Sequence, residues 1–190
     1  MTPGIATSVT RVWPRVAVAG LIVVCGISLF FWWRCWGWGD TTTLLVLRHA
    51  DRVAQATGLS AAGLARAQEI VHVGEKAGIQ GIYQSDTDRS RQTAAPIATA
   101  LGITPVEITA SDVTGLVNHI FANHRGETVL VVGHSNTVPQ IITAVGGPVL
   151  ADIPDDEFDN LFTVEVCECW WWWRWRRATV VNLQYGAVSP

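Results

Sequence analysis

Two short aliphatic runs end in histidine: Leu44-Leu45-Val46-Leu47-Arg48-His49 and Val129-Leu130-Val131-Val132-Gly133-His134. Runs of four or five branched apolar residues bounded by polar ones read as strands buried on both faces of a parallel sheet. Open α/β sheets bind ligands in the crevice beyond the carboxyl ends of such strands, so His49 and His134 are expected to face one site. Between them lies Ser85-Asp86-Thr87-Asp88-Arg89-Ser90-Arg91-Gln92-Thr93-Ala94, where a strand passes into a helix with Arg89 near its start. A helix N-terminus offers free N–H groups and a partial positive charge, and a guanidinium adds bidentate, charge-assisted bonds to phosphate oxygens. Arg48, Arg89, His49 and His134 together make a cationic cup for one dianionic group, which is the composition of a phosphate site.

In this order the residues resemble the histidine phosphatase superfamily, whose fold is phosphoglycerate-mutase-like. Arg48-His49-Ala50 is similar to the family's Arg-His-Gly, and Ser85 through Ala94 to its Ser-x-x-x-Arg-x-x-Gln-Thr-Ala stretch without a gap. Gly133-His134-Ser135 resembles the surroundings of the second histidine, and Leu59-Ser60-x-x-Gly63-x-x-Arg66-Ala67 the start of the first helix. The resemblance implies that His49 is the nucleophile and forms a phosphohistidine that water then hydrolyses, dividing one hard displacement into two easier ones. Arg48, Arg89 and His134 would hold the equatorial oxygens, so catalysis would be positioning and electrostatics, with no metal or other cofactor.

Ala50 in place of glycine resembles the small single-domain branch that includes bacterial phosphohistidine phosphatases. No counterpart of the long insert and the Trp-Glu-Gly segment of phosphoglycerate mutases is present, which disfavours a mutase. The expected activity is that of a phosphoric monoester hydrolase acting on a phosphomonoester or a phosphohistidine, in a small molecule or a phosphoprotein. A phosphomutase and a catalytically weak phospho-ligand binding or regulatory module are the alternatives. Asp51, two residues after the nucleophile, is the choice for general acid, with Glu107 and the acidic run Asp152, Asp155, Asp156, Glu157 and Asp159 behind it. Asp112 reads as a helix N-cap. Arg52, Ser85 and Asn136 are the candidate substrate-binding residues. The acidic run matches no calcium loop, and His72, His119 and His124 are expected to face solvent.

The elements that must carry these groups follow a strand–helix alternation. It predicts strand 43–48, helix 60–76, strand 80–84, helix 88–101, strand 105–108, helix 112–124, strand 128–133, helix 137–145, and strands 160–167 and 178–184. Such an order predicts an α/β fold, a three-layer α/β/α sandwich with a mainly parallel sheet. Gly78, Gly102, Gly126 and Gly146 each follow a helical pattern, where left-handed C-caps are expected.

The flanks of this core differ from it. All ten tryptophans lie outside residues 39–169, and residues 40–169 hold seven Arg/Lys and all sixteen Asp/Glu, a net charge of −9. The remainder holds six arginines and no acid. Val16 through Trp33 is 18 residues without a charge, about 27 Å as a helix, preceded by Arg11 and Arg15 and followed by Trp36 and Trp38. Residues 1–38 are therefore expected to be a cytoplasmic tip, a transmembrane helix and a tryptophan-rich juxtamembrane segment, with residues 39–190 the phosphatase domain. That predicts a single-pass membrane protein with its catalytic domain outside the cytoplasm and the lipid bilayer as partner. Trp170-Trp171-Trp172-Trp173-Arg174-Trp175-Arg176-Arg177 is expected as a hairpin insertion, 167–177, at an anionic interface. Nucleic acid is not expected, because this is one short basic tract on an acidic globule. Cys167 and Cys169 are too close in sequence to pair with each other, which leaves Cys35 or the free thiol state.

Overall fold

A computed structural model describes residues 40–53, 57–170 and 174–189, together with Gly26. The elements are β1 (Thr41–Arg48), α1 (Ala61–Gly74), β2 (Ile79–Gln84), α2 (Asp88–Leu101), β3 (Val106–Glu107), α3 (Val113–Asn123), β4 (Thr128–Gly133), α4 (Thr137–Ala144), β5 (Asn160–Trp170) and β6 (Arg174–Gln184). Their order in the sheet is β3-β2-β4-β1-β5-β6. The first four strands of that row are mutually parallel, while β5 runs antiparallel to β1 and β6 antiparallel to β5. The sheet is therefore mixed. β6 follows β5 through a short hairpin and so returns antiparallel, while the helical crossovers between β1 and β4 deliver parallel neighbours.

Alternation along the central strands explains the three layers. Leu44 and Val46 of β1 and Val129 and Val131 of β4 face a cluster with Leu116, Ile120, Ile141 and Ile142 of α3 and α4. Leu45, Leu47, Leu130 and Val132 face the opposite cluster with Ile70, Ile97 and Ala98 of α1 and α2. Successive side chains of a strand point to opposite faces, so a strand covered on both must be apolar throughout. Helix starts follow their caps: Ser60 Oγ accepts from Gly63 N–H at 3.1 Å and Asp112 Oδ1 from Gly115 N–H at 2.8 Å. Gly102 closes α2 in the left-handed region, with φ 67°.

The largest departure from expectation is at the last two strands. They continue to Trp170 and Arg174, which pair with each other, so the basic tract extends the ladder and does not form an insertion between shorter strands. Aromatic residues suit a pleated ladder, and Glu168 adds ion pairs to Arg125 at 2.8 Å and Arg176 at 2.9 Å. Residues 171–173 lie outside the described residues. So does the expected anchor apart from Gly26, and among the described residues no helix is long and apolar enough to cross a membrane. Residues 40–190 form one compact unit. Cys167 is a free thiol.

Candidate active site

β1 and β4 are paired so that Arg48 lies opposite Gly133, and the His49 N–H donates to Gly133 O at 2.9 Å. The next residue on each strand is a histidine, so the two rings emerge side by side, with centroids 5.4 Å apart in an edge arrangement. Both are buried, His49 at 3% exposure and His134 at 7%. His49 Nδ1 lies 2.8 Å from Ala50 O, and a ring nitrogen facing a carbonyl must carry the proton. Nε2 is left with the lone pair. Burial first, and then the charges of Arg89, His134 and Arg48, push the His49 pKa down to about 3. Burial first, and then the charges of Arg89 and Arg48, bring His134 to about 4. At neutral pH the nucleophile candidate is a neutral imidazole.

His49, His134, Arg48 and Arg89 line one crevice of ≈ 560 Å³. Arg48 Nη1 donates to the carbonyls of Pro154 at 2.6 Å and Glu157 at 2.9 Å, and its guanidinium carbon sits 4.2 Å from the centre of the Phe158 ring. The fork is thereby held from behind. Arg48 Nε, Arg89 Nε and His134 Nδ1 are buried and have no partner within the chain. Buried polar atoms are normally satisfied, and these three belong to side chains that line one crevice, a setting suited to a tetrahedral anion.

Two candidates fall elsewhere. The Asp51 carboxylate is bound by Arg66, with Nε donating to Oδ2 at 2.6 Å, and Asp51 does not line the crevice. This corrects its choice as general acid: the carboxylate is committed to α1 through a buried guanidinium. Ser85 Oγ lies 2.8 Å from His134 Nε2 and 2.7 Å from Ser90 Oγ, so it orients the second histidine from the side. Arg52 and Asn136 do line the crevice. Glu107 pairs with Arg91 at 2.7 Å on the surface, and Asp112 caps α3. His72 and His119 are exposed, but His124 is half-buried against Tyr83 with its Nδ1 2.7 Å from Glu127. Among the described residues no cluster of His, Cys, Asp or Glu is arranged to hold a metal ion.

Other residues of the site emerge only in three dimensions. Thr93 Oγ1 accepts the Ala50 N–H at 3.0 Å and donates to Arg89 O at 2.7 Å, tying the nucleophile's neighbour to the arginine helix. Gln92 Oε1 accepts the Leu59 N–H at 2.7 Å. Both stand in the stretch 85–94, so the motif itself signalled them although their partners lie far off in sequence. Asp155 was singled out within the acidic run, whereas Phe158, Ser111 and Gln140 had no such signal. They come from irregular segments or exposed helix starts.

Residues 44–112 match the family model described as the histidine phosphatase superfamily (branch 1), which bears out the resemblance carried by the motifs. No curated protein matches the chain. Among solved structures, a mycobacterial hydrolase is 16% identical with a TM-score of 0.58, covering 76% of this chain and 99% of its own. A mycobacterial glucosyl-3-phosphoglycerate phosphatase in complex with VO3 is 16% identical with a TM-score of 0.57, covering 75% and 99%. The protein histidine phosphatase SixA in complex with tungstate is 16% identical with a TM-score of 0.53, covering 75% and 96%. At such identities the likeness is one of fold.

Proposed function

We propose that this chain is a membrane-anchored phosphatase of the histidine phosphatase type, hydrolysing a phosphomonoester or a phosphohistidine through a covalent intermediate on His49. The observation that carries the reading is the crevice in which the neutral, oriented His49 imidazole meets Arg48, Arg89 and His134, each with a buried side-chain nitrogen left unpartnered within the chain. His49 Nε2 attacks phosphorus, a P–N bond forms, and the bond to the leaving oxygen or nitrogen breaks. Arg48 and Arg89 hold the equatorial oxygens throughout. The arriving dianion favours a proton on His134, whose Nδ1 then donates to it. Water next attacks phosphorus, the P–N bond breaks, and inorganic phosphate leaves with His49 restored.

Among the described residues Asp155 is the carboxylate that lines the crevice, and it is paired with arginines. Leaving groups stable without a positioned acid are therefore favoured. The domain would be tethered through Val16–Trp33 and stand outside the cytoplasm.

Brief incubation with a labelled aryl phosphate should yield a phosphoprotein that is alkali-stable and acid-labile. His49→Ala should remove both label and turnover. Turnover that persists in His49→Ala overturns the covalent mechanism, and a mutase would in addition require a bisphosphate primer. A protein that binds phosphate but neither takes label nor turns over would be the binding module.

A further inference from the structure

The phosphate cup accounts for the floor of the crevice but not for its wall. Arg52 lines that wall at 40% exposure, and its ion-pair partner is Asp155 Oδ1 at 3.9 Å. The same oxygen lies 3.4 Å from Arg48 Nη2. Well-formed guanidinium–carboxylate contacts are about 2.7–2.9 Å, as in the Arg66–Asp51 pair at 2.6 Å. Asp155 is thus loosely held, and its side chain is 82% exposed. Two arginines converge on one displaceable carboxylate that the chain supplies itself.

The base of Arg52 is fixed. Its backbone bridges Leu59, whose N–H is held by Gln92. Ser111, Asn136 and Gln140 add polar groups nearby, and Ala110 is the one apolar residue among those lining the crevice. The Asn136 side chain, at the start of α4, makes no capping bond there and is free for a ligand. A wall of this composition offers nothing to the apolar side chains of a bound peptide, and ≈ 560 Å³ suits a small molecule.

We propose that the substrate is a small phosphomonoester carrying a second anionic group near its phosphate, and that this group displaces Asp155 and binds Arg52. A carboxylate is the form that Asp155 itself presents. The inference rests on the phosphatase reading and names the substrate class of the same site. Arg52 is its specificity residue, and Asp155 is an internal competitor.

The test uses the full chain and two probes of one shape that differ by one charge, 3-carboxyphenyl phosphate and 3-carbamoylphenyl phosphate. Both release a phenol that needs little proton help. The unaltered protein should favour the carboxylate probe by about tenfold in kcat/KM, less at high salt as the attraction is screened. Arg52→Ala should bring that ratio close to one, mainly through KM, and Arg52→Lys should retain part of it. Asp155→Asn should lower KM for the carboxylate probe by about two- to fivefold, the worth of one exposed ion pair. Equal kcat/KM for the two probes in the unaltered protein overturns the inference while leaving the phosphatase reading intact. So does an equal loss on both probes in Arg52→Ala, or faster turnover of a phosphohistidine-bearing protein than of the carboxylate probe. Absence of any turnover and of any label on His49 overturns the phosphatase reading, and this inference with it.

Discussion

A buried histidine kept neutral costs stability when the solution turns acid, and this protein has two of them in one cup. The His49 and His134 pKa values lie near 3 and 4 in the folded chain, against 6.5 for an ordinary histidine. Between those limits the unfolded chain binds protons that the folded one refuses, so stability must fall as pH drops through the window. The steepest contribution is about 1.4 kcal/mol per pH unit for each group. The urea midpoint is therefore expected to fall between pH 6.5 and pH 4, with a shallower slope in His49→Asn. An unchanged slope in that variant would show that the imidazole is not held neutral by burial. The four residues of the cup were legible because spacing along two strands and one helix start fixes them. Asp51 was not, because its orientation is decided by Arg66 on α1, which Asp51 also meets through the Ser60 cap. Sequence proximity to a nucleophile does not say which way a side chain points.

Elements position the cup by close approach. A Cβ added at Gly63 would collide with the Asp51 carbonyl oxygen and come within 3.0 Å of Asp51 N, all backbone atoms just after the nucleophile. A side chain can rotate away from such a contact, but this segment is fixed by β1 and by Thr93. Gly63→Ala should therefore cost about 1–3 kcal/mol of stability. It should cost proportionally more in turnover, because displacing the His49 segment by about 1 Å can slow a reaction by about 100-fold. Gly81→Ala is the control. The nearest atoms its Cβ would meet belong to the His124 ring, at 2.7 Å, just past the far end of the helix α3. Equal loss of turnover in the two variants, measured beside their melting temperatures, would contradict this account of the first helix start. Strand–helix order, caps and glycine positions were readable because each is a local signal. The mixed sheet and the full length of β5 and β6 were not. Their extension rests on cross-strand pairs such as Glu168 with Arg176, which only the register reveals.

At the scale of the whole molecule, the register separates the site from the tryptophan tract. β1 begins at Thr41, paired with Cys167, and Cys167 in turn pairs with Arg177. β1 ends at Arg48, whose neighbour is His49. Eight residues at about 3.3 Å each put roughly 25 Å between the two ends of the strand. The described parts of the tract therefore lie at the pole away from the crevice, at the end where the chain enters β1 from residue 40. Charge divides along the same line, with all sixteen acids in residues 40–169 and three of the six remaining arginines in the tract. An anionic lipid surface would meet arginine and tryptophan at that pole while the crevice faces water. Arg176 is occupied, paired with Glu168 and lying 3.7 Å above the Phe121 ring, whereas Arg177 is exposed. The expected outcome is that the chain from Gly39 onward binds anionic vesicles, and more weakly as salt is raised. Replacing Trp171, Trp172, Arg174 and Arg177 should abolish that binding and leave aryl phosphate turnover within about twofold, since the register puts Arg174 and Arg177 at the end of the sheet away from the cup, roughly 25 Å along β1. Replacing Arg176 alone should instead lower the melting temperature, because its guanidinium covers a core aromatic ring and neutralises a largely buried carboxylate. Vesicle binding that survives the fourfold replacement, or that never occurs without residues 1–38, would remove the tract from any role at a membrane.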